Sequence, residues 1–119
     1  MSIVAVHGLN GNAIKTWSKG ERCWLNDPNL LPKYIPSARV LAYGYNANVF
    51  GIKGRATSSD GIMQHAQTLV AELAADRELE GAAKRPIIFL CHSLGGIVVK
   101  SVSNLIFVAA YSQLWESRC

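Results

Sequence analysis

The residue of this chain best placed for covalent chemistry is a serine held between an apolar run and a glycine pair. Pro86-Ile-Ile-Phe-Leu-Cys91 is followed by His92-Ser93-Leu94-Gly95-Gly96. Small residues two before and two after a serine permit a turn tight enough to lift its hydroxyl above a strand end and to aim a helix N-terminus at it. The spacing here is Cys91-x-Ser93-x-Gly95, with cysteine where G-x-S-x-G has its first glycine, and cysteine is small enough to be accommodated. A serine hydroxyl becomes a nucleophile when a base takes its proton, and the oxyanion formed on an attacked carbonyl needs donors already in place. The backbone N–H of Leu94, at the helix start, is one such donor. A second loop punctuated by glycines, His7-Gly8-Leu9-Asn10-Gly11, follows the apolar residues Ile3 to Val6 and is the place to look for another.

The elements that must position these loops recur as a strand followed by a helical segment. Ile3 to Val6 reads as a first strand, Ala38 to Tyr43 as a second, and Pro86 to Cys91 as a third, each short, apolar and bounded by turn residues. The segment holding Trp17, Trp24, Leu25, Leu30 and Leu31 is interrupted by Pro28, Pro32 and Pro36, so any helix in it is short. A loop begins at Gly44-Tyr45-Asn46 and runs to about Thr57. The clearest helix follows, with Ser58 or Ser59 as its cap, Ile62, Met63, Ala66, Leu69, Val70, Leu73 and Ala74 along one face, and Gly81 at its end. His65 falls on the flank of that face and is expected in solvent. Strands alternating with helices call for a parallel sheet with right-handed crossovers. We expect a three-layer α/β fold with the first strand between the second and third, strand order 2-1-3, an order that the family resemblance set out below implies. His7 to Asn10 would then sit beside Ser93 at the carboxyl ends of neighbouring strands.

Composition narrows the function classes. The chain has 119 residues, half of them hydrophobic, enough for one small domain with a modest core. Its net charge of +4 comes from scattered Lys and Arg with no run that would track phosphates, which argues against a nucleic-acid partner. Three cysteines, Cys23, Cys91 and Cys119, fit neither a disulfide framework nor a zinc ligand set, so a reducing compartment is the simpler reading. Cys91 is expected to be a small buried residue at its strand end. No charged leader precedes the first strand, so no secretory signal is expected, and the apolar run Leu105 to Ala110 is too short to span a bilayer. Two look-alike motifs fail on their residues. Lys100-Ser101 would need glycines where Leu94 and Val99 stand to be a phosphate loop, and His7-Gly8-x-x-Gly11 lacks the G-x-G-x-x-G of a dinucleotide fingerprint.

The His7-Gly8-Leu9-Asn10-Gly11 loop, Thr16-Trp17, Trp24-Leu25, Ala38 to Tyr45 and the Cys91 to Lys100 segment together resemble the α/β-hydrolase superfamily. Within it the likeness is to lipase-like serine esterases of the serine active-site-containing type, and to hydrolase modules at the N-terminus of fungal nucleotide-binding repeat proteins. The resemblance covers residues 1–102, read as the N-terminal part of a hydrolase domain, with residues 103–119 as an atypical tail. It implies a serine hydrolase acting on a carboxylic ester or lipid through an acyl-serine intermediate, with no metal or organic cofactor. Ser93 would be the nucleophile, the amides of Leu9 and Leu94 the oxyanion donors, and His7, Gly8, Gly95 and Gly96 the support of the two loops. Tyr43, Tyr45, Trp17 and Trp24 are expected in the core rather than in an acyl pocket, and His92 in a packing role. The resemblance also implies an intracellular setting, cytoplasmic or associated with a mitochondrial or endoplasmic reticulum membrane by peripheral contact.

One part of the pattern is missing. In this superfamily the acid and the histidine follow the serine in the chain, yet no histidine comes after Ser93 and Glu116 is the only acid. The third strand would also lack its next neighbour. Val102-Ser103-Asn104 can be encoded as GTA-AGT-AAT, a splice-donor-like string, so the expectation is a hydrolase domain cut short, with its remainder absent and its activity weak or lost. The alternative is a non-catalytic signalling or interaction module on the same scaffold.

Overall fold

The structure, a computed structural model, describes residues 1–47 and 59–116, with side chains for residues 1–47 and 61–105. Ser58, one of the two expected caps, and residues 48–57 of the preceding loop lie outside the described residues, while Ser59 is the first residue of the helix itself. Three parallel strands form the central sheet: β1 (Ser2–Val6), β4 (Arg39–Tyr43) and β5 (Ile87–Cys91), in the order β4-β1-β5. This is the order 2-1-3 of the sequence reading. The register sets Val6 opposite both Tyr43 and Cys91, so the carboxyl ends of all three strands finish level. All five residues of β1 are buried, as a strand flanked on both sides and covered on both faces requires.

Alternation along the strands sorts their side chains onto two faces. Val4, Val6 and Tyr43 face α2 (Ser59–Leu79) and α3 (Leu94–Glu116), packing with Ala66 and Leu69 of the first helix and Val98 and Val102 of the second. Each such buried aliphatic side chain contributes about 1.5–3 kcal/mol. Ala5, Val40 and Leu90 point the other way, onto a layer built of Trp17, Cys23 and Leu25. That layer has little regular structure. It contains a 3-10 turn at Lys15–Trp17, a short hairpin of the two-residue strands β2 (Ser18–Lys19) and β3 (Arg22–Cys23), and the one-turn helix α1 (Leu31–Tyr34) with Pro32 in its first turn. The prolines do keep helix here to a single turn, and the hairpin is an addition that no alternating pattern in the sequence announces.

Several burial expectations need correcting. Met63 and Ala74, assigned to the apolar face of α2, are exposed, because the sheet beneath is only three strands wide and the helix overhangs it. His65 is half-buried rather than solvated, since the chain leaving β4 lays Tyr45 against it. Cys91 is exposed, not buried: β5 is an outer strand, and among the described residues no further element covers its end. Helix α3 runs unbroken from Leu94 to Glu116.

Polar ties hold the far end of the sheet. Arg39 at the start of β4 grips Asp76 of α2 with two parallel bonds of 2.6 and 2.7 Å. The pair holds the Arg39 guanidinium above its ordinary range and the Asp76 carboxyl below its own, in both cases chiefly through the hydrogen bonds they share. Arg77 donates to the carbonyls of Ala83 and Arg85, tying down the connection between α2 and β5. Among the described residues no helix is long and apolar enough to cross a membrane.

Candidate functional site

Strand β5 ends at Cys91 and helix α3 begins at Leu94, leaving two residues, His92 and Ser93, to reverse the chain. Ser93 takes φ +53°, the left-handed region that a residue with a Cβ enters at a cost of about 1–2 kcal/mol. A strained serine between a strand and a helix is what the Cys91-x-Ser93-x-Gly95 spacing requires. Ser93 is exposed, and the amides of Gly95 and Gly96 behind it bond to the carbonyls of His92 and Ser93 at 3.0 Å each. Leu94 supplies the first amide of α3, one of the N–H groups that a helix start leaves without an intrahelical partner.

The loop after β1 lies against this turn. A Cβ built on Gly8 would stand 2.6 Å from the His92 carbonyl oxygen and 2.7 Å from the Ser93 Cβ, so only glycine lets the two backbones come this close. Gly95 is constrained from the other side, where a Cβ would collide with the Val6 carbonyl oxygen and reach within 2.7 Å of that of His7. The structure therefore brings Gly8, Ser93 and Gly95 together at the carboxyl ends of β1 and β5, with Leu9 and Leu94 each next in the chain. Leu9 is exposed, and its amide makes no hydrogen bond among the described residues. Gly96 has open space around it beyond a contact with Cys91.

His7 is fully buried, and its bonding fixes its chemistry. The amide of Tyr45 donates to Nε2 at 3.2 Å; an amide can only donate, so Nε2 accepts and the proton sits on Nδ1. Nδ1 lies 3.0 Å from the Gly8 carbonyl oxygen and donates to it. Both ring nitrogens are thus engaged in holding the loop. Tyr45 stacks flat on the His7 ring, with centroids 4.2 Å apart and planes 11° from parallel, and its hydroxyl donates to the His7 carbonyl at 2.6 Å. Burial pushes the Tyr45 phenol up to about 12, so it remains a donor throughout the neutral range.

The sequence reading did not find Tyr45 in this role. Its only signal was the Tyr43-Gly44-Tyr45 string at the end of a strand, which reads as core packing. Tyr43 is core, stacked on Tyr45 at 5.6 Å and donating to the His65 carbonyl. His65 leans on the Tyr45 ring at 4.8 Å, and burial lowers its pKa below the ordinary histidine value. His92 is exposed and turns Nδ1 toward Gly8, with the buried Trp17 ring edge-on to it at 6.4 Å. Trp24 packs edge-on against Trp17. Two hollows among the described residues, about 150 Å³ between β4 and α2 and about 240 Å³ beside Cys23 and Val40, are lined by neither Ser93 nor Leu9.

The chain is similar to Protein SERAC1 of Bos taurus, with 25% identity over 118 aligned positions. It is similar also to Protein SERAC1 of Mus musculus (26%) and of Homo sapiens (25%), in each case over 84% of this chain. It spans only 17% of the length of these relatives. No protein-family profile matches the chain, and no solved structure matches it.

Proposed function

We propose that this chain carries the nucleophile and the oxyanion-binding loops of a serine hydrolase acting on a carboxylic ester or lipid. The observation that carries the reading is the meeting of Ser93, in a left-handed two-residue turn, with the backbone of Gly8. In the reaction, Ser93 Oγ attacks the ester carbonyl carbon and its proton passes to a base. The carbonyl oxygen becomes an oxyanion facing the amides of Leu9 and Leu94. The carbon–oxygen bond to the alcohol then breaks, the alcohol leaves with a proton, and water hydrolyses the acyl-serine to the acid. Each amide donor of this kind is worth about 3 kcal/mol to the transition state.

The base is the part this chain does not supply. His7 has both nitrogens committed, His65 leans on Tyr45, and His92 turns Nδ1 to Gly8. The reading assigns proton transfer to a histidine, with its acid, outside these 119 residues. Similarity to Protein SERAC1, which is several times longer, supports a larger domain as the working unit. Contact with a membrane surface stands on the family resemblance alone.

A second reading, a non-catalytic interaction module, is favoured by the absence of that base. A fluorophosphonate probe separates the two. Labelling of the chain that disappears in Ser93→Ala supports the hydrolase reading, and a folded chain that takes no label supports the module.

A further inference from the structure

We propose that Tyr45 is a positioning residue whose hydroxyl and ring set the direction of the Leu9 amide by holding the orientation of His7; this rests on the reading of Ser93 as an acyl-transfer nucleophile. The Leu9 N–H and the Gly8 C=O belong to one planar trans peptide, so the two point in opposite directions. The Gly8 carbonyl is held on one side by His7 Nδ1–H at 3.0 Å and by the Gly11 amide at 3.0 Å. With that carbonyl tied down, the Leu9 N–H must point the other way, and it has no partner among the described residues.

The bond from His7 exists only while Nδ1 carries the proton. Neutral imidazole has two tautomers, and the partner of one nitrogen selects the state of the other. Tyr45 makes that selection through its backbone, donating to Nε2 at 3.2 Å. Its ring then holds the imidazole plane by stacking at 4.2 Å, and its hydroxyl takes the His7 carbonyl at 2.6 Å. Every carbonyl from Val6 to Gly8 is consequently engaged: Val6 by the His92 amide, His7 by Tyr45, Gly8 by His7 and Gly11. A stretch whose three carbonyls are tied and whose next donor is left over is arranged for a negative charge rather than a cation. Tyr45 reaches this loop from the end of the neighbouring strand β4, so it acts on the serine site through His7 without touching Ser93.

The test uses the full chain, a fluorophosphonate probe and the variants Tyr45→Phe, Tyr45→Leu and Ser93→Ala. Tyr45→Phe keeps the ring and the backbone donor and loses only the hydroxyl. We expect it to label about tenfold more slowly, the size of one neutral hydrogen bond, and to stay folded with a melting temperature lowered by several degrees. Tyr45→Leu loses the stack as well and should label more slowly still. A structural role alone would not move the amide of Leu9, so its 15N–1H resonance is the second readout. It should shift when Ser93 is phosphonylated in the wild type, and shift less in Tyr45→Phe. Tyr45→Phe labelling at the wild-type rate, or slower labelling with an unchanged Leu9 response, overturns the proposal. Equal labelling of wild type and Ser93→Ala overturns the hydrolase reading beneath it, and is distinguished by that control. If Tyr45→Leu does not fold, Tyr45→Phe decides.

Discussion

Gly8 lies so close to Ser93 that a methyl group on its Cα would stand 2.7 Å from the serine Cβ. Two loops separated by most of the chain are thereby locked backbone to backbone at the carboxyl ends of β1 and β5. Space for a hydroxyl to react, and for an amide to face it, depends on this contact being made without side chains.

Gly8→Ala tests the contact. The new methyl meets the His92 carbonyl oxygen and the Ser93 Cβ, neither of which is the free end of a flexible side chain. We expect a loss of stability of about 1–3 kcal/mol by denaturant unfolding. Fluorophosphonate labelling of the remaining folded protein should fall at least tenfold, because the loop must back away from Ser93. Wild-type labelling in this variant would show that the loop is not part of the site.

Ser93 pays in backbone strain for its position, with φ at +53°. Ser93→Ala keeps the Cβ and the strain, whereas Ser93→Gly removes both. Both variants should lose labelling, yet Ser93→Gly should be more stable than Ser93→Ala by about 1 kcal/mol in parallel urea titrations. Equal stability would mean that the turn is not strained.

The Arg39–Asp76 pair predicts a pH dependence at the other end of the sheet. Asp76 is held below its ordinary carboxylate value of 3.8 by the Arg39 hydrogen bonds. Its contribution to stability is therefore whole above that value and is lost as pH falls through the lowered one. Asp76→Asn should be less stable than wild type near neutrality, and the two should converge in unfolding midpoints as the pH drops below about 3.8.

His65 gives the opposite limit of the same argument. Burial against Tyr45, together with the nearby His7, lowers its pKa beneath 6.5, while a hydrogen bond that the ring donates to the Asn46 backbone works the other way. The unfolded chain then binds a proton that the folded one resists, so stability falls as pH drops from 6.5 toward the lowered value. His65→Gln should flatten the melting temperature between pH 7 and pH 5 relative to wild type. An unchanged slope would place the titrating group elsewhere.

What the sequence determined by itself is local. Short apolar runs bounded by glycine and proline specify the three strands, and their alternation with helical segments specifies a parallel sheet, whereas connection rules allow 1-2-3 as readily as 2-1-3, so the middle place of β1 is seen in the structure. The Ser93 turn and the His7-Gly8 loop were legible for the same reason, since small residues at fixed spacing are a local steric requirement. What only the tertiary structure decided depends on residues far apart in the chain: Tyr45 over His7, 38 positions away, and Arg39 on Asp76, 37 away. The exposure of Cys91 and the burial of His65 belong with these. Periodicity tells which side of an element a residue occupies, but whether that side is covered depends on which other element arrives there, and a three-stranded sheet leaves its outer strand and its overhanging helix partly bare.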